Sequence, residues 1–198
     1  TIGTSHHIGL HRLPPVLRAF SEDYPNVELD IQFMDSEQAC HAVEQGTMEL
    51  GIVTLPDQPA ERLMTQEIWP DPMGIVVSPR HELAQRKQLT LADLVEYPAL
   101  LPDANTFTHN IIHSTFTAHG LKPEVRLATN YLETLKMLVS TGLGWSALPL
   151  SMADEDICVL EIPDFTISRS LGIVRHKRRS LSRAADAMLM TINQNMVV

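Results

Sequence analysis

Thr4, Ser5, His6 and His7 follow one another directly after a short apolar start, and His11 stands one helical turn beyond His7. Hydroxyls at the end of a strand, beside the first amides of a helix, make a natural seat for a carboxylate. Those amides have no partner within the helix and carry the positive end of its dipole. Imidazoles there add hydrogen bonds and a charge that changes near neutral pH. A second polar stretch, "DANTFTHN", offers Asn105 and Thr106 as helix caps and Phe107 as an apolar surface for a bound molecule. Asn130, with Glu133 at the spacing of a capping box, opens a further helix.

Each of these residues has a plainer reading. Ser, Thr and Asn at helix starts are more often simple caps than ligand contacts. His6, His7 and His11 could form a metal or anion site, and His109 with His113 has the i, i+4 spacing of two ligands on one helix face. No nearby cysteine or carboxylate completes either set, so a hydrogen-bonding role for His6 or His7 ranks above metal binding, and no metal or other cofactor is expected. Cys40 and Cys158 are 118 positions apart, which makes neither a disulfide framework nor a zinc motif and suits a reducing cytoplasm. Met137 and Leu138 read as core or subunit contact, and the basic run "RHKRRSLSR" as a solvated helix entry.

Alternating strands and helices position these groups. Leu13, Val16, Leu17, Phe20 and Tyr24 recur at helical spacing, with Pro14 and Pro15 tolerable only in a first turn. Val27, Leu29, Ile31 and Phe33 alternate as a strand. Asp35 with Gln38 forms a capping box for a helix through Ala39, Cys40 and Val43 that Gly46 closes, and "MELGIVT" is a buried strand. A second series follows. "LMTQEIW" reads as a strand that "PDP" at residues 70–72 breaks, and "MGIVVS" as a new one. Short helical pieces fall around His81 and Leu91, then "YPALL", a helix from Phe107 to His119 ended by Gly120, the strand "PEVRLAT", a helix over residues 131–140 and the strand "GWSALP". "VLEIPDF" and "SLGIVRH" are extended, and an amphipathic helix over residues 181–193 closes the chain. The expected fold class is α/β, with two Rossmann-like lobes of mostly parallel sheet and a two-stranded hinge where the chain crosses twice. Lobe I covers residues 1–69 and 165–198, lobe II residues 70–164.

The 198 residues, 44% of them hydrophobic, suffice for real cores. A net charge of −9 gives no overall positive field to hold a phosphate backbone. No apolar run approaches the roughly 20 residues of a membrane span. Neither a G-x-S-x-G elbow, a phosphate-binding glycine loop nor H-E-x-x-H is present, so an enzyme is not expected.

The order and spacing of "IGT", "LPPVLRAFSEDYPNVEL", "AVEQGTMELGIVT", "VVSPRHELA", "TLADLVEYPAL", "HGLKPEV", "LVSTGLGWSALP" and "RRSLSRAADAM" resemble the effector-binding domain of LysR-type transcriptional regulators over essentially the whole chain. The resemblance implies a type II periplasmic-binding-protein-like fold and a cytoplasmic sensor that binds a small, anionic metabolite between two lobes. It further implies a winged helix-turn-helix preceding residue 1, through which alone DNA is contacted. An opening strand without an initiator Met agrees with a preceding segment. Thr4 and Ser5 match the family's hydroxyl positions after the first strand and Thr54 the one after the third. The implied effector contacts are Thr4, Ser5, His6, Thr54, Asn105, Thr106, Phe107 and Asn130. The His6–His7 pair departs from the family pattern and suggests an acidic effector or a subgroup. A peroxide-sensing role is disfavoured, since the two cysteines fall in different lobes and Cys40 lies on an apolar face. The family's antiparallel side-by-side pairing would set the helix of residues 13–23 against that of residues 131–140 of a second copy, in a homodimer or homotetramer. The alternative is a transport-type solute-binding protein for a small organic anion.

Overall fold

The computed structural model describes residues 1–195 and divides the chain into two compact units, Thr1–Pro70 with the segment from Ser170 on, and Asp71–Arg169. In the first unit, β1 (Ile2–Thr4) leads into α1 (His6–His11) and α2 (Leu13–Asp23), then β2 (Ile31–Phe33), α3 (Ser36–Gln45) and β3 (Leu50–Thr54). β1 lies between β2 and β3, parallel to both, with Thr4 opposite Phe33 and Ile52. The strands β4 (Leu63–Val77) and β9 (Ile167–His176) each run from one unit into the other. β9 pairs antiparallel with β3, Ile52 opposite Ile173, and α6 (Arg183–Gln194) completes the unit.

Local chemistry explains these breaks. α1 and α2 are separate helices because Pro14 and Pro15 cannot donate to a preceding turn; they sit in the first turn of α2, where their missing N–H groups cost nothing. Leu13, Val16 and Phe20 recur on one face and are buried with Ile8, Leu50, Ile52, Ile173, Met188 and Ile192, each contributing roughly 1.5–3 kcal/mol by leaving water. The Asp35/Gln38 capping box opens α3 as expected. Gly46 ends it at φ 77°, and a Cβ there would meet the guanidinium of Arg179, which donates to the carbonyls of Gly46 and Gln45 at 3.1 and 3.2 Å.

The second unit contains two short 3₁₀ turns (Glu82–Gln85 and Leu91–Glu96), β5 (Ala99–Leu101), α4 (Phe107–Ala118), β6 (Val125–Ala128), α5 (Leu132–Ser140), β7 (Ser146–Pro149) and β8 (Cys158–Val159). β5 and β6 are parallel, while β4 takes β7 and β8 as antiparallel partners. Trp145 is its largest buried side chain, stacked on Phe116 at 5.2 Å between ring centroids with Nε1 donating to the Leu94 carbonyl at 2.9 Å.

Three expectations change. "PDP" does not break the chain: β4 runs through it, and its pairing with β7 begins at Met73, so neither proline interrupts that ladder. The strand of residues 27–33 shrinks to Ile31–Phe33, with Val27 and Leu29 packing on the core outside it. Of "VLEIPDF", residues 159–165, only Val159 lies in a strand, the short β8.

Candidate functional site

In the first unit, the register that sets Thr4 beside Ile52 brings the ends of β1 and β3, and the residues that follow them, to one end of the sheet. Thr4 is fully buried, and its hydroxyl donates to the Ile52 carbonyl at 2.8 Å. Its proton therefore ties β1 to β3 instead of pointing outward. Ser5, half-buried and extended (φ −77°, ψ 156°), holds the N-cap position of α1 without a side-chain cap bond. Thr54 is buried at the end of β3, with its amide donating to Ser36 Oγ, the first residue of α3, at 3.0 Å. His6 is exposed beside Phe33, with ring centroids 5.7 Å apart, while His7 is buried against His11 at 4.5 Å.

The second unit builds its strand-to-helix turn with internal braces. Thr106 caps α4: its Oγ1 accepts from the His109 amide at 3.1 Å and donates to the Asp103 carbonyl at 2.8 Å. His109 Nδ1 donates to the Pro102 carbonyl at 2.8 Å, since a carbonyl can only accept. Asn130 is not the cap of α5, a position held by Tyr131; its Oδ1 accepts from the Asp103 amide at 2.9 Å and holds the end of β6 to the loop after β5. Asn105 is exposed at the tip of that loop and Phe107 half-buried in the first turn of α4. Thr106, Asn130 and the loop are thus one hydrogen-bonded group, with Asn105 and Phe107 beside it.

Sequence reasoning missed a buried ion pair. Asp71 and Arg169 are the first and last residues of the second unit, and Arg169 Nε lies 2.7 Å from Asp71 Oδ2, with Nη1 donating to Thr108 Oγ1 on α4 at 3.2 Å. In the sequence Asp71 stands between two prolines and Arg169 just ahead of "SLGIVRH", so no local pattern marks either as a buried charge. Burial, with a smaller contribution from Glu37, pushes the Cys40 thiol up to about 12, which leaves it protonated and unreactive at neutral pH.

The profile of the LysR substrate binding domain matches residues 1–196. The chain belongs to that family. It is 30% identical to the HTH-type transcriptional regulator YwbI of Bacillus subtilis, over 95% of the chain and 64% of that protein, and 27% identical to the HTH-type transcriptional regulator CbbR of Rhodospirillum rubrum, over 89% and 59%. The chain therefore spans less than two thirds of the length of these relatives. Among solved structures, the C-terminal domain of a probable LysR family regulator from Rhodococcus sp. RHA1 superposes with a TM-score of 0.83 at 25% identity, covering 96% of each chain. The effector-binding domain of QuiR in complex with shikimate matches at 0.87 and 18% identity, over 98% of this chain and 94% of its own, and shares the fold. These matches establish the type II periplasmic-binding-protein-like α/β class, and the relatives are regulators, so the transport reading is not favoured. No helix among the described residues is long and apolar enough to cross a membrane.

Proposed function

We propose that this effector-binding domain senses a small organic anion and, in a cytoplasmic homodimer or homotetramer, alters how DNA-binding modules elsewhere in the protein sit on DNA. The contacts we assign are Thr4, Ser5, His6 and Thr54 in the first unit and Asn105, Thr106, Phe107 and Asn130 in the second. The observation that carries the reading is Ser5, a hydroxyl at the N-terminal, positive end of a helix whose first turn it does not cap. Thr4 and Asn130 act by framing, since each is tied to a neighbouring backbone group. The QuiR domain, which shares the fold, holds shikimate, itself a small carboxylate. We assign the chain no catalytic role. Pairing of copies through α2 and α5 draws support from Tyr131 and Met137, both at least half exposed.

Calorimetry with a panel of small carboxylates and phosphorylated acids, near physiological salt, tests the reading. The expected result is one binding species, weakened about tenfold by Ser5→Ala through loss of one charge-assisted hydrogen bond. Affinity that survives Ser5→Leu, which also blocks the seat, rejects this location. In a gel shift with promoter DNA the chain alone is expected to be inert, because its charge is −9. Tight, sequence-selective DNA binding by residues 1–198 rejects the division of labour.

A further inference from the structure

Two pairs of histidines stand one turn apart on helices that follow a strand, and they differ in geometry. On α1, the His7 and His11 rings are 4.5 Å apart between centroids, and their ligand-capable nitrogens lie within 4.8 Å of each other. On α4, the His109 and His113 centroids are 6.1 Å apart, with His109 Nδ1 already committed to the Pro102 carbonyl. Two imidazole nitrogens on one ion, with bonds of about 2.0–2.1 Å, must approach to about 3 Å, so the α1 pair stands nearer a chelating arrangement than the α4 pair. We propose that His7 and His11 form a two-imidazole seat for a first-row divalent transition ion of the zinc, nickel or copper kind, its remaining positions filled by water or other oxygen donors.

The backbone under this pair is fixed. The Arg12 amide donates to the Ile8 carbonyl at 2.9 Å, and Leu13, Pro14 and Pro15 form the first turn of α2 immediately beyond, where the prolines cannot donate to an extension of α1. Its outer side rests on Phe33, since a Cβ at Gly9 would come within 2.3 Å of that ring. His7 is buried, which restricts its rotamers, and His11 is exposed, which gives an ion a route from solvent. A pre-ordered ligand pair at i and i+4 binds without the entropy cost of assembling it. This site is separate from the anion reading, because the ligands are the two imidazoles and neither is among the anion contacts assigned above.

The experiment is a Zn²⁺ titration of the metal-stripped chain at pH 7.5 with no organic anion present, read by calorimetry and by the histidine ring signals in NMR spectra. The expected result is saturable binding that moves the His7 and His11 ring signals first. His11→Ala is expected to weaken it by about tenfold or more, while His113→Ala leaves it unchanged. Acidification to about pH 5.5 is expected to release the ion, because protons compete for imidazole nitrogen. His11→Gln, which keeps side-chain bulk, guards against a folding artefact, with thermal melts of each variant as the check. Unchanged Zn²⁺ affinity in His11→Ala, or an equal loss in His113→Ala, overturns the proposal.

Discussion

After β1, Thr4 turns its hydroxyl to the carbonyl of Ile52 and Ser5 leaves α1 without a side-chain cap; after β5, Thr106 caps α4 and is braced through Asp103 to Asn130. Both units place hydroxyl residues at a strand-to-helix turn. In the second unit the hydroxyl is consumed by groups three residues away, and in the first by a residue 48 positions away. A polar turn is therefore no single kind of site. What it offers a ligand depends on which groups the fold has already used: the Thr106 hydroxyl caps α4, whereas Ser5 makes no cap bond to α1.

The second unit's bracing extends to the Asp71–Arg169–Thr108 group, and breaking it has the largest expected effect. Arg169→Ala leaves the carboxylate of Asp71 buried without its cation and is expected to cost about 3–5 kcal/mol in chemical denaturation. Replacing both charges, as Asp71→Leu with Arg169→Met, is expected to recover most of that loss, because no buried charge is left without its opposite and only the Thr108 hydroxyl loses a donor. A single-variant loss below about 1 kcal/mol, the range of exposed pairs, would show that the pair is solvated in solution.

The caps themselves provide the next contrast. Thr106→Ala removes an observed cap bond and is expected to cost about 1 kcal/mol, whereas Ser5→Ala, with no cap bond to lose, is expected to stay within about 0.5 kcal/mol. Equal losses in thermal or urea denaturation would erase the distinction between the two turns.

How much of this was legible in the sequence follows the range of each interaction. The capping box at Asp35 and Gln38, the stops at Gly46 and Gly120 and the first-turn prolines of α2 depend on neighbours within a few residues, and each forms where the residue types indicate. Thr106 as a cap was legible for the same reason. The tie of Thr4 to Ile52 depends on sheet register, the tie of Asn130 to Asp103 on the packing of β6 against β5, and the pairing of Asp71 with Arg169 on contact across 98 positions. No local pattern encodes these. The prolines at 70 and 72 misled because their effect on a strand depends on whether a partner needs their amides, which is a property of the sheet.

His81 sharpens the comparison at its smallest scale, because it caps a helix with a group that titrates. Its Nδ1 accepts from the Leu83 amide at 3.2 Å at the start of the 3₁₀ turn Glu82–Gln85, its ring meets Tyr97 edge-on at 5.0 Å, and the Glu82 carboxylate is adjacent. Burial lowers its pKa below the ordinary 6.5, and Glu82 offsets this only in part. Between the lowered value and 6.5 the unfolded chain binds more protons than the folded one, so stability rises with pH across that window. The contribution is complete above about 6.5 and is lost as pH falls through the folded value, where the imidazolium can no longer accept the Leu83 amide. His81→Asn keeps an N-cap acceptor that does not titrate. The difference in urea midpoint between the native chain and this variant is expected to shift in the variant's favour as pH drops from 7.5 to 5, while Thr106→Ala shows a constant difference from the native chain over the same range. A difference for His81→Asn that is flat with pH would mean that this cap accepts no differently when protons are abundant, and would remove titration from the list of ways in which the chain's helix starts differ.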